Sequence, residues 1–260
     1  AISKRWAPAL LLLVVLGVVF DWVRPDSILR GRNSRTWVGE LTRSRSNLSG
    51  AIEAFQRMGP EALPLLQELL ETERSEVRAA YAEKFASLPR KLQAILPDPS
   101  LDAVGIRARA VAVIGKLGVH ARPAIPWLHR AVTDPEAEVR IEAVVALGVL
   151  HAEATDDTVL LLSAALFDAE SLVRENACYA LAKIGPEAVP AVLVLGRVVR
   201  GSDEPMRLLA IGALEAIGSD TGDVIAILEE ASRSGSASVR ERALRAMESQ
   251  SRNLETKVSL

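Results

Sequence analysis

The sequence predicts an all-α fold, an α-α superhelix of stacked helix pairs preceded by one N-terminal hydrophobic helix. A short pattern recurs at intervals of 29 to 34 residues, and its apolar positions follow helical spacing. Hydrophobic residues make up 49% of the chain but aromatic residues only 4%. A core of Ala, Val, Leu and Ile suits closely packed helices better than a β-sandwich, whose strands favour aromatic and β-branched residues.

The repeat opens with an apolar residue followed by arginine, and we predict that this pair begins the first helix of each unit. The arginines at this position are Arg78, Arg107, Arg140, Arg174, Arg207 and Arg240. Mostly small or aliphatic residues follow at offsets of 3, 6, 7 and 10 from the arginine, which lie on one face of an α-helix. The frequent alanines at offsets 3 and 6 allow a neighbouring helix to approach closely.

Glycine and proline mark the end of the first helix and the start of the second. Glycines that stand eleven residues after the arginine are Gly118, Gly185 and Gly218, and His151 takes this place in one unit. Glycine caps a helix end because it accepts positive φ without a Cβ penalty. Prolines predicted in the first turn of the second helix are Pro64, Pro123 and Pro190.

One helix pair cannot bury its own apolar faces, so the pairs must stack into a solenoid. We predict the solenoid over residues 47–250, with about six units and a polar last helix, Val239 to Met247, as a cap. The segment Arg90 to Gly105 is predicted as an irregular unit, and residues 251–260 as a C-terminal tail.

Residues 1–23 contain an apolar run, Trp6 to Phe20, that Lys4 and Arg5 precede. We predict a single-pass membrane anchor here, with the solenoid on the extracytoplasmic side. Alternatives are a cleaved signal peptide, which would release a secreted protein, a buried helix, and an anchor with a cytoplasmic solenoid. Residues 24–46 are a basic stretch, interpreted as a solvated linker or as a contact with anionic lipid head groups.

The repeat resembles the HEAT-repeat superfamily, in particular the short HEAT-like repeats of phycobilisome lyases. Asp134 with Val139-Arg140, Asp168 with Val173-Arg174, and the Gly-Pro-Glu-Ala-x-Pro segments at 59–64 and 185–190 carry the resemblance. It implies an armadillo-type α solenoid, in which each arginine pairs with the aspartate six residues before it or with a neighbouring unit. An anchor followed by such repeats is similar to many bacterial membrane proteins.

No catalytic, cofactor-binding or metal-binding residue is predicted. The three histidines are scattered, and the His-Glu dipeptides that identify the HEAT-like enzyme deoxyhypusine hydroxylase are absent from the sequence. Metal sites need clustered His, Cys or carboxylates. The single cysteine, Cys178, lies among apolar residues of a predicted helix with no nearby histidine to activate it, so a buried structural thiol is expected.

The remaining candidate site is the face of the second helices. Counting twelve residues from the glycine of each turn selects Glu71, Arg130, Arg197 and Glu230, and neighbouring positions add Glu68, Trp127 and Glu229. Trp and Arg are enriched at binding hot spots, although Trp127 could instead fill the interface between units. Mixed charges and a net charge of −2 argue against nucleic acid and favour a protein or peptide partner.

The predicted function is therefore a non-catalytic, membrane-tethered scaffold that binds a protein or peptide and needs no cofactor or small-molecule substrate. One alternative, which the resemblance implies, is a lyase-type or chaperone-like accessory factor acting on a chromophore-bearing client. Another is binding to a lipid surface through the basic linker, residues 24–46.

Overall fold

The computed structural model describes residues 48–71, 103–151, 154–218 and 222–258. In these residues it shows α-helices, 3-10 segments and turns but no strand, which confirms the all-α prediction. The helices are Leu48–Met58 (α1), Leu63–Glu71 (α2), Ala103–Lys116 (α3), Ile125–Ala131 (α4), Ala137–Val149 (α5), Asp156–Ala165 (α6), Ser171–Ile184 (α7), Val192–Gly201 (α8), Glu204–Ile217 (α9), Gly222–Ser234 (α10) and Ala237–Val258 (α11).

The helices alternate in two layers, as a solenoid of helix pairs requires. Helices α1, α3, α5, α7 and α9 are the first, or A, helices of units 1 to 5, and α2, α4, α6, α8 and α10 are the second, or B, helices. Consecutive A helices pack against each other, and each B helix packs against the A helix that follows it. Helix α11 covers the end of the stack by packing on α9 and α10.

The predicted apolar face of the A helices forms the core between the units. In α7, for example, Ala177, Ala180, Leu181 and Ile184 are all buried. Small residues set the spacing of this layer. A Cβ added at Gly115 would lie 2.8 Å from the Cβ of Ala146 in the next A helix, so glycine is required for this close approach.

The four glycines that follow α1, α3, α7 and α9 have positive φ, which confirms the predicted capping role of Gly118, Gly185 and Gly218 and adds Gly59. Their φ angles are 59° at Gly59, 57° at Gly118, 70° at Gly185 and 98° at Gly218. Unit 3 is different, because α5 ends at Leu150 with φ −87° and no described residue other than glycine has positive φ. The position of His151 is therefore not a left-handed cap.

The predicted starts of the B helices are correct only in unit 1. Pro64 lies in the first turn of α2. Pro123 and Pro190 instead lie within the 3-10 segments Gly118–Ala124 and Gly185–Ala191, and the α-helices begin after them at Ile125 and Val192. In unit 1 the corresponding 3-10 segment, Gly59–Ala62, is three residues shorter. Nearly identical sequences therefore join their helices differently.

Unit 1 stacks directly on unit 2, although residues 72–102 separate them in the sequence. Helices α1 and α2 both contact α3. Gln56 Nε2 donates to the carbonyl oxygen of Lys116 at 2.8 Å. The predicted helix start at Arg78 and most of the predicted irregular unit lie outside the described residues, as do residues 1–23 and 24–46.

The last helix is longer than predicted. Its buried stripe of Val239, Ala243 and Ala246 is narrow, as expected of a cap, but the helix continues to Val258. Beyond the apolar stripe a polar contact holds it to the stack, since Gln250 Nε2 donates to the carbonyl oxygen of Glu215 at 2.7 Å. The C-terminal residues predicted as a tail thus begin as helix.

One described segment, Ser171–Gly201, is long and apolar enough to cross a membrane by length and composition alone. It consists of α7 and α8 with the 3-10 segment between them, and half of its apolar 18-residue stretch is buried inside the solenoid. Its apolar character is accounted for by the core of unit 4.

Candidate functional site

The exposed residues of the B helices form a repeating surface, here termed the B-face. Three positions, spaced by four and then three residues, are exposed in each unit. The first are Pro64, Pro126, Leu160, Leu193 and Ala226. The second are Glu68, Arg130, Ala164, Arg197 and Glu230. The third are Glu71, Thr133, Phe167, Arg200 and Arg233.

This register corrects one predicted equivalence. Counting from the glycines placed Glu71 in the same position as Arg130 and Arg197. The pattern of buried and exposed residues instead aligns Glu68 with Arg130, and Glu71 with Thr133. The shift of three residues follows from the shorter 3-10 segment of unit 1, because it brings α2 closer to its glycine.

Three predicted residues meet at a groove between α2 and α4. Glu71, Trp127 and Arg130 line it, and its wall includes Arg107 and Asp134. Trp127 is partly buried against the core and also borders the groove. The predicted alternatives for this side chain, filling an interface and forming a contact surface, are thus both compatible with its position.

The predicted residues farther along the B-face are held by their neighbours. The guanidinium of Arg197 lies 5.0 Å from the ring centroid of Phe167, a cation–π geometry. Glu230 pairs with Arg200 of α8 at 2.9 Å, and Glu229 pairs with Arg233 at 3.0 Å. The two halves of the predicted face therefore do not converge on one pocket but form an extended surface.

The repeat arginines at the start of the A helices form a ladder along the turns between units. Arg107 Nη2 donates to Asp134 at 3.2 Å. Arg140 makes a two-pronged contact with Asp168, through Nε at 2.9 Å and Nη2 at 2.8 Å. Each carboxylate belongs to the turn that leads into the next unit, 27 or 28 residues after its arginine.

The predicted carboxylate pairing six residues back is therefore wrong, and the neighbouring-unit alternative is correct. Asp134 offers Arg140 its main-chain carbonyl rather than its carboxylate, since Arg140 Nη1 donates to Asp134 O and Pro135 O, both at 3.0 Å. One arginine thus joins two consecutive turns. It binds carbonyls of the turn before it with one edge and the carboxylate of the turn after it with the other.

The charges of this pair stabilise each other. The hydrogen bond from Arg140 lowers the pKa of Asp168, and the backbone N–H of Glu170, which donates to Asp168 at 2.8 Å, acts in the same direction. The same bond raises the pKa of Arg140. Both side chains are only 15% exposed, so solvent screens this pair much less than a surface pair.

The ladder of carboxylates stops after unit 3 because the turn sequence changes. The turns that begin at Asp134 and Asp168 place aspartate six residues before the arginine. Before α9, Gly201 stands where the pattern places the next ladder aspartate, and Asp203 instead caps the helix by accepting from the N–H of Met206 at 3.1 Å. Before α11, Ser236 accepts from the N–H of Val239 at 3.3 Å.

Three arginines therefore lack a carboxylate partner among the described residues. Arg174 donates through Nη1 to Asp168 O at 2.8 Å and to Ala169 O at 3.0 Å. Arg240 donates to Gly235 O at 2.8 Å. The Nε of Arg207 is buried without a hydrogen-bond partner. The sequence shows that the aspartate is absent from these turns. Only the structure shows that the arginine of the preceding unit loses its carboxylate partner as a result.

The described residues contain no group of three or more His, Cys, Asp and Glu side chains that could hold a metal ion. His129 Nε2 lies 2.8 Å from Thr158 Oγ1 and links α4 to α6. Burial lowers the pKa of His129, against the opposing effect of Asp157. Its arrangement is that of a neutral side chain joining two units.

Cys178 is buried in α7, as predicted for a structural thiol. Burial, together with the negative charge of Glu175, raises its pKa to about 12. The side chain is therefore a thiol at neutral pH, whereas nucleophilic cysteines react as thiolates.

Comparison with known proteins supports the repeat class. Residues 158–248, from α6 into α11, match a family model described as HEAT repeats. A designed armadillo repeat protein in complex with the peptide (KR)4 has a similar structure, with a TM-score of 0.50 and 18% sequence identity, over 82% of this chain and 98% of that chain. At this identity the likeness shows the fold alone.

Two further solved structures are less similar. Human deoxyhypusine hydroxylase in complex with glycerol has a TM-score of 0.44 and 18% identity, over 95% of this chain and 100% of that chain. The complex of CpcE and CpcF of phycocyanin lyase from Nostoc sp. PCC7120 has a TM-score of 0.29 and 19% identity, over 88% and 98%. Among curated proteins, none matches this sequence.

Proposed function

We propose that this protein is a non-catalytic scaffold that binds a protein or peptide along the B-face and is tethered to a membrane by its N-terminal apolar segment. The observation that carries the proposal is the chemistry of the B-face, where large apolar side chains stand exposed beside arginines. Leu193 is 65% exposed and Phe167 51%, with Arg197 over the ring of Phe167. Aromatic residues and arginine are enriched where proteins bind each other.

The shape of the surface also favours an extended partner. The three exposed positions recur in every described unit, so the B-face offers a row of similar contacts rather than one enclosed pocket. The designed armadillo repeat protein that resembles this chain in fold holds a peptide, and we infer a partner of the same general class. Binding then depends on complementary shape and charge over many units, without chemistry.

Site-specific photo-crosslinking in cells that produce the full chain tests the proposed face. A photoreactive residue replaces Leu193 on the B-face, and in a matched control replaces Tyr179, which is 53% exposed on the A helix of the same unit. We expect a discrete covalent adduct from position 193 and none from position 179. Adducts from position 179 alone would move the binding surface to the A helices and contradict the proposal.

A further inference from the structure

We propose that the arginine ladder of units 4 and 5 binds carboxylates of an acidic partner segment, which take the place of the aspartates that these units lack. This inference rests on the proposed function, because it names the chemistry of the partner. The complete part of the ladder supplies the template. There, Arg140 uses Nη1 for two carbonyls and its Nε and Nη2 edge for the carboxylate of Asp168.

Arg174 repeats the first half of this contact and lacks the second. Its Nη1 donates to the carbonyls of Asp168 and Ala169 at 2.8 and 3.0 Å, just as Nη1 of Arg140 does one unit earlier. The guanidinium is thus held by the turn behind it. By analogy with Arg140, its other edge is directed toward the next turn, where Gly201 takes the place of the aspartate and provides no carboxylate.

Arg207 extends this feature by one unit. Its Nε is buried and has no hydrogen-bond partner, and the turn opposite it has Ser234 in place of an aspartate. The side chain as a whole is partly exposed, so a ligand carboxylate would bind its terminal nitrogens, as Asp134 binds Nη2 of Arg107. Units 4 and 5 therefore each contain one arginine, Arg174 and Arg207, that could donate further hydrogen bonds to a ligand.

Several nearby acids are already engaged. Asp168 binds Arg140, and Asp203 caps α9. On the adjoining B-face, Glu230 pairs with Arg200 and Glu229 with Arg233. Arg197 adds a further positive charge over Phe167. Positive charge available to an acidic ligand is therefore local to Arg174, Arg207 and Arg197, since Glu170 and Glu204 stand in the same turns and the whole chain has a net charge of −2.

Carboxylates fit this arrangement better than a run of phosphates. The planar guanidinium matches a carboxylate through two parallel hydrogen bonds, as the pair of Arg140 and Asp168 demonstrates. Packed helices lie about 8–10 Å apart. An extended peptide advances about 3.3 Å per residue. An acidic side chain at every third residue would therefore meet Arg174 and Arg207 in turn.

The test uses the full chain and a fluorescent peptide with glutamate at every third position separated by Gly and Ser, with a lysine peptide and a single-stranded oligonucleotide as comparisons. We expect saturable binding of the glutamate peptide, measured by fluorescence anisotropy, and none of the lysine peptide. Gly201→Asp supplies the missing carboxylate to Arg174, at an exposed position where an added Cβ has nothing within 4 Å. It should weaken binding at least tenfold while raising Tm by about 2–4 °C, as a new internal ion pair would.

Ser251→Asp is the matched control, because it adds the same charge at an exposed position of α11, and it should leave binding unchanged. Arg174→Gln and Arg207→Gln should each weaken binding with the fold intact by circular dichroism. Binding that Gly201→Asp and Arg174→Gln leave unaltered, or no binding to the wild-type chain, would overturn the inference. If the oligonucleotide binds more tightly than the glutamate peptide and Gly201→Asp weakens that binding, the assignment to an acidic peptide would be overturned.

The two proposals fail separately. If position 193 still gives a crosslinked adduct but glutamate peptides neither bind nor compete with it, the scaffold function stands and the acidic partner is wrong. If glutamate peptides bind through Arg174 while adducts form only at position 179, the ladder binds acids and the B-face is not the main partner surface.

Discussion

The arginine at the same repeat position makes different contacts in successive units. Arg140 and Arg174 occupy the same sequence position and make the same contacts to the turn before them. Only Arg140 meets a carboxylate in the turn after it. One amino acid, 27 or 28 positions further along the chain, decides whether such an arginine joins two turns or leaves part of its guanidinium for a ligand.

Replacing Asp168 by asparagine should lower the free energy of unfolding at pH 7 by about 1–3 kcal/mol, because Arg140 loses a charged partner in a poorly solvated place. The folded pKa of Asp168 lies below its ordinary value of 3.8. Its contribution is therefore present above that value and is lost as the pH falls through the lowered pKa. Urea unfolding of both proteins from about pH 7 down to pH 3 checks this.

The control is Glu230→Gln, which breaks the pair with Arg200. Those two side chains are about half exposed, so their pair is screened by solvent. A change within about 0.5 kcal/mol is expected. If Asp168→Asn costs no more than this control, or if its cost is the same at pH 3 as at pH 7, the ladder pair does not stabilise the fold as described.

At the scale of helices, small residues determine how closely the A layer packs. Helices α3 and α5 meet where Gly115 faces Ala146, and α5 and α7 meet where Gly148 faces Ala180. In both places an added Cβ would stand 3.0 Å or less from the neighbouring helix. Glycine inside a helix is unfavourable in isolation, so its presence here reflects packing rather than helix propensity.

Gly115→Ala should therefore destabilise the protein, although alanine is the better helix former. The added Cβ meets both the Cβ and the backbone Cα of Ala146, at 2.8 and 2.9 Å, so a helix must shift. Overpacking of this kind costs about 1–3 kcal/mol. The gain in helix propensity is about 1 kcal/mol at most. We expect a lower urea midpoint, followed by circular dichroism.

Gly201→Ala is the matched control, since Gly201 ends α8 with nothing within 4 Å of an added Cβ and without a positive φ. It should be neutral or slightly stabilising. A Gly115→Ala protein as stable as the Gly201→Ala protein would show that the A layer yields easily and that the contact does not set its spacing.

At the scale of the whole molecule, the described units contact mainly their neighbours, and the B-face extends along all of them. Tethering would strengthen binding by such a surface, because it raises the effective concentration of the scaffold for a partner at the same membrane. The proposed tether, residues 1–23, carries fifteen consecutive apolar residues with a tryptophan at the start.

The full chain should therefore sediment with membranes after alkaline carbonate washing, whereas a chain starting at residue 24 should remain in the supernatant. Circular dichroism of the shorter chain controls for loss of fold. Release of the full chain by carbonate, or recovery of a shortened soluble form from cells, would indicate a cleaved signal peptide and would remove the tether from the proposed function.

The sequence by itself determined the features that depend on a few adjacent residues. Helical spacing of Ala and Leu predicted the buried faces, and the glycines at 118, 185 and 218 predicted the positive φ at helix ends, because both are properties of a single helix or turn. The repeat of these features predicted the solenoid. The exposed face was predicted only roughly, since its register depends on the length of each 3-10 segment.

Only the tertiary structure decided which turn each arginine reaches, and that unit 1 packs on unit 2 across the chain of residues 72–102. Asp134 lies six residues from Arg140 in the sequence, yet its carboxylate binds Arg107. Stacking brings consecutive turns side by side, so the carboxylate 28 residues away is in reach of Arg140, while the turn before it presents carbonyls. The distance between turns of consecutive units depends on how the units pack, and a local sequence pattern carries no information about that packing.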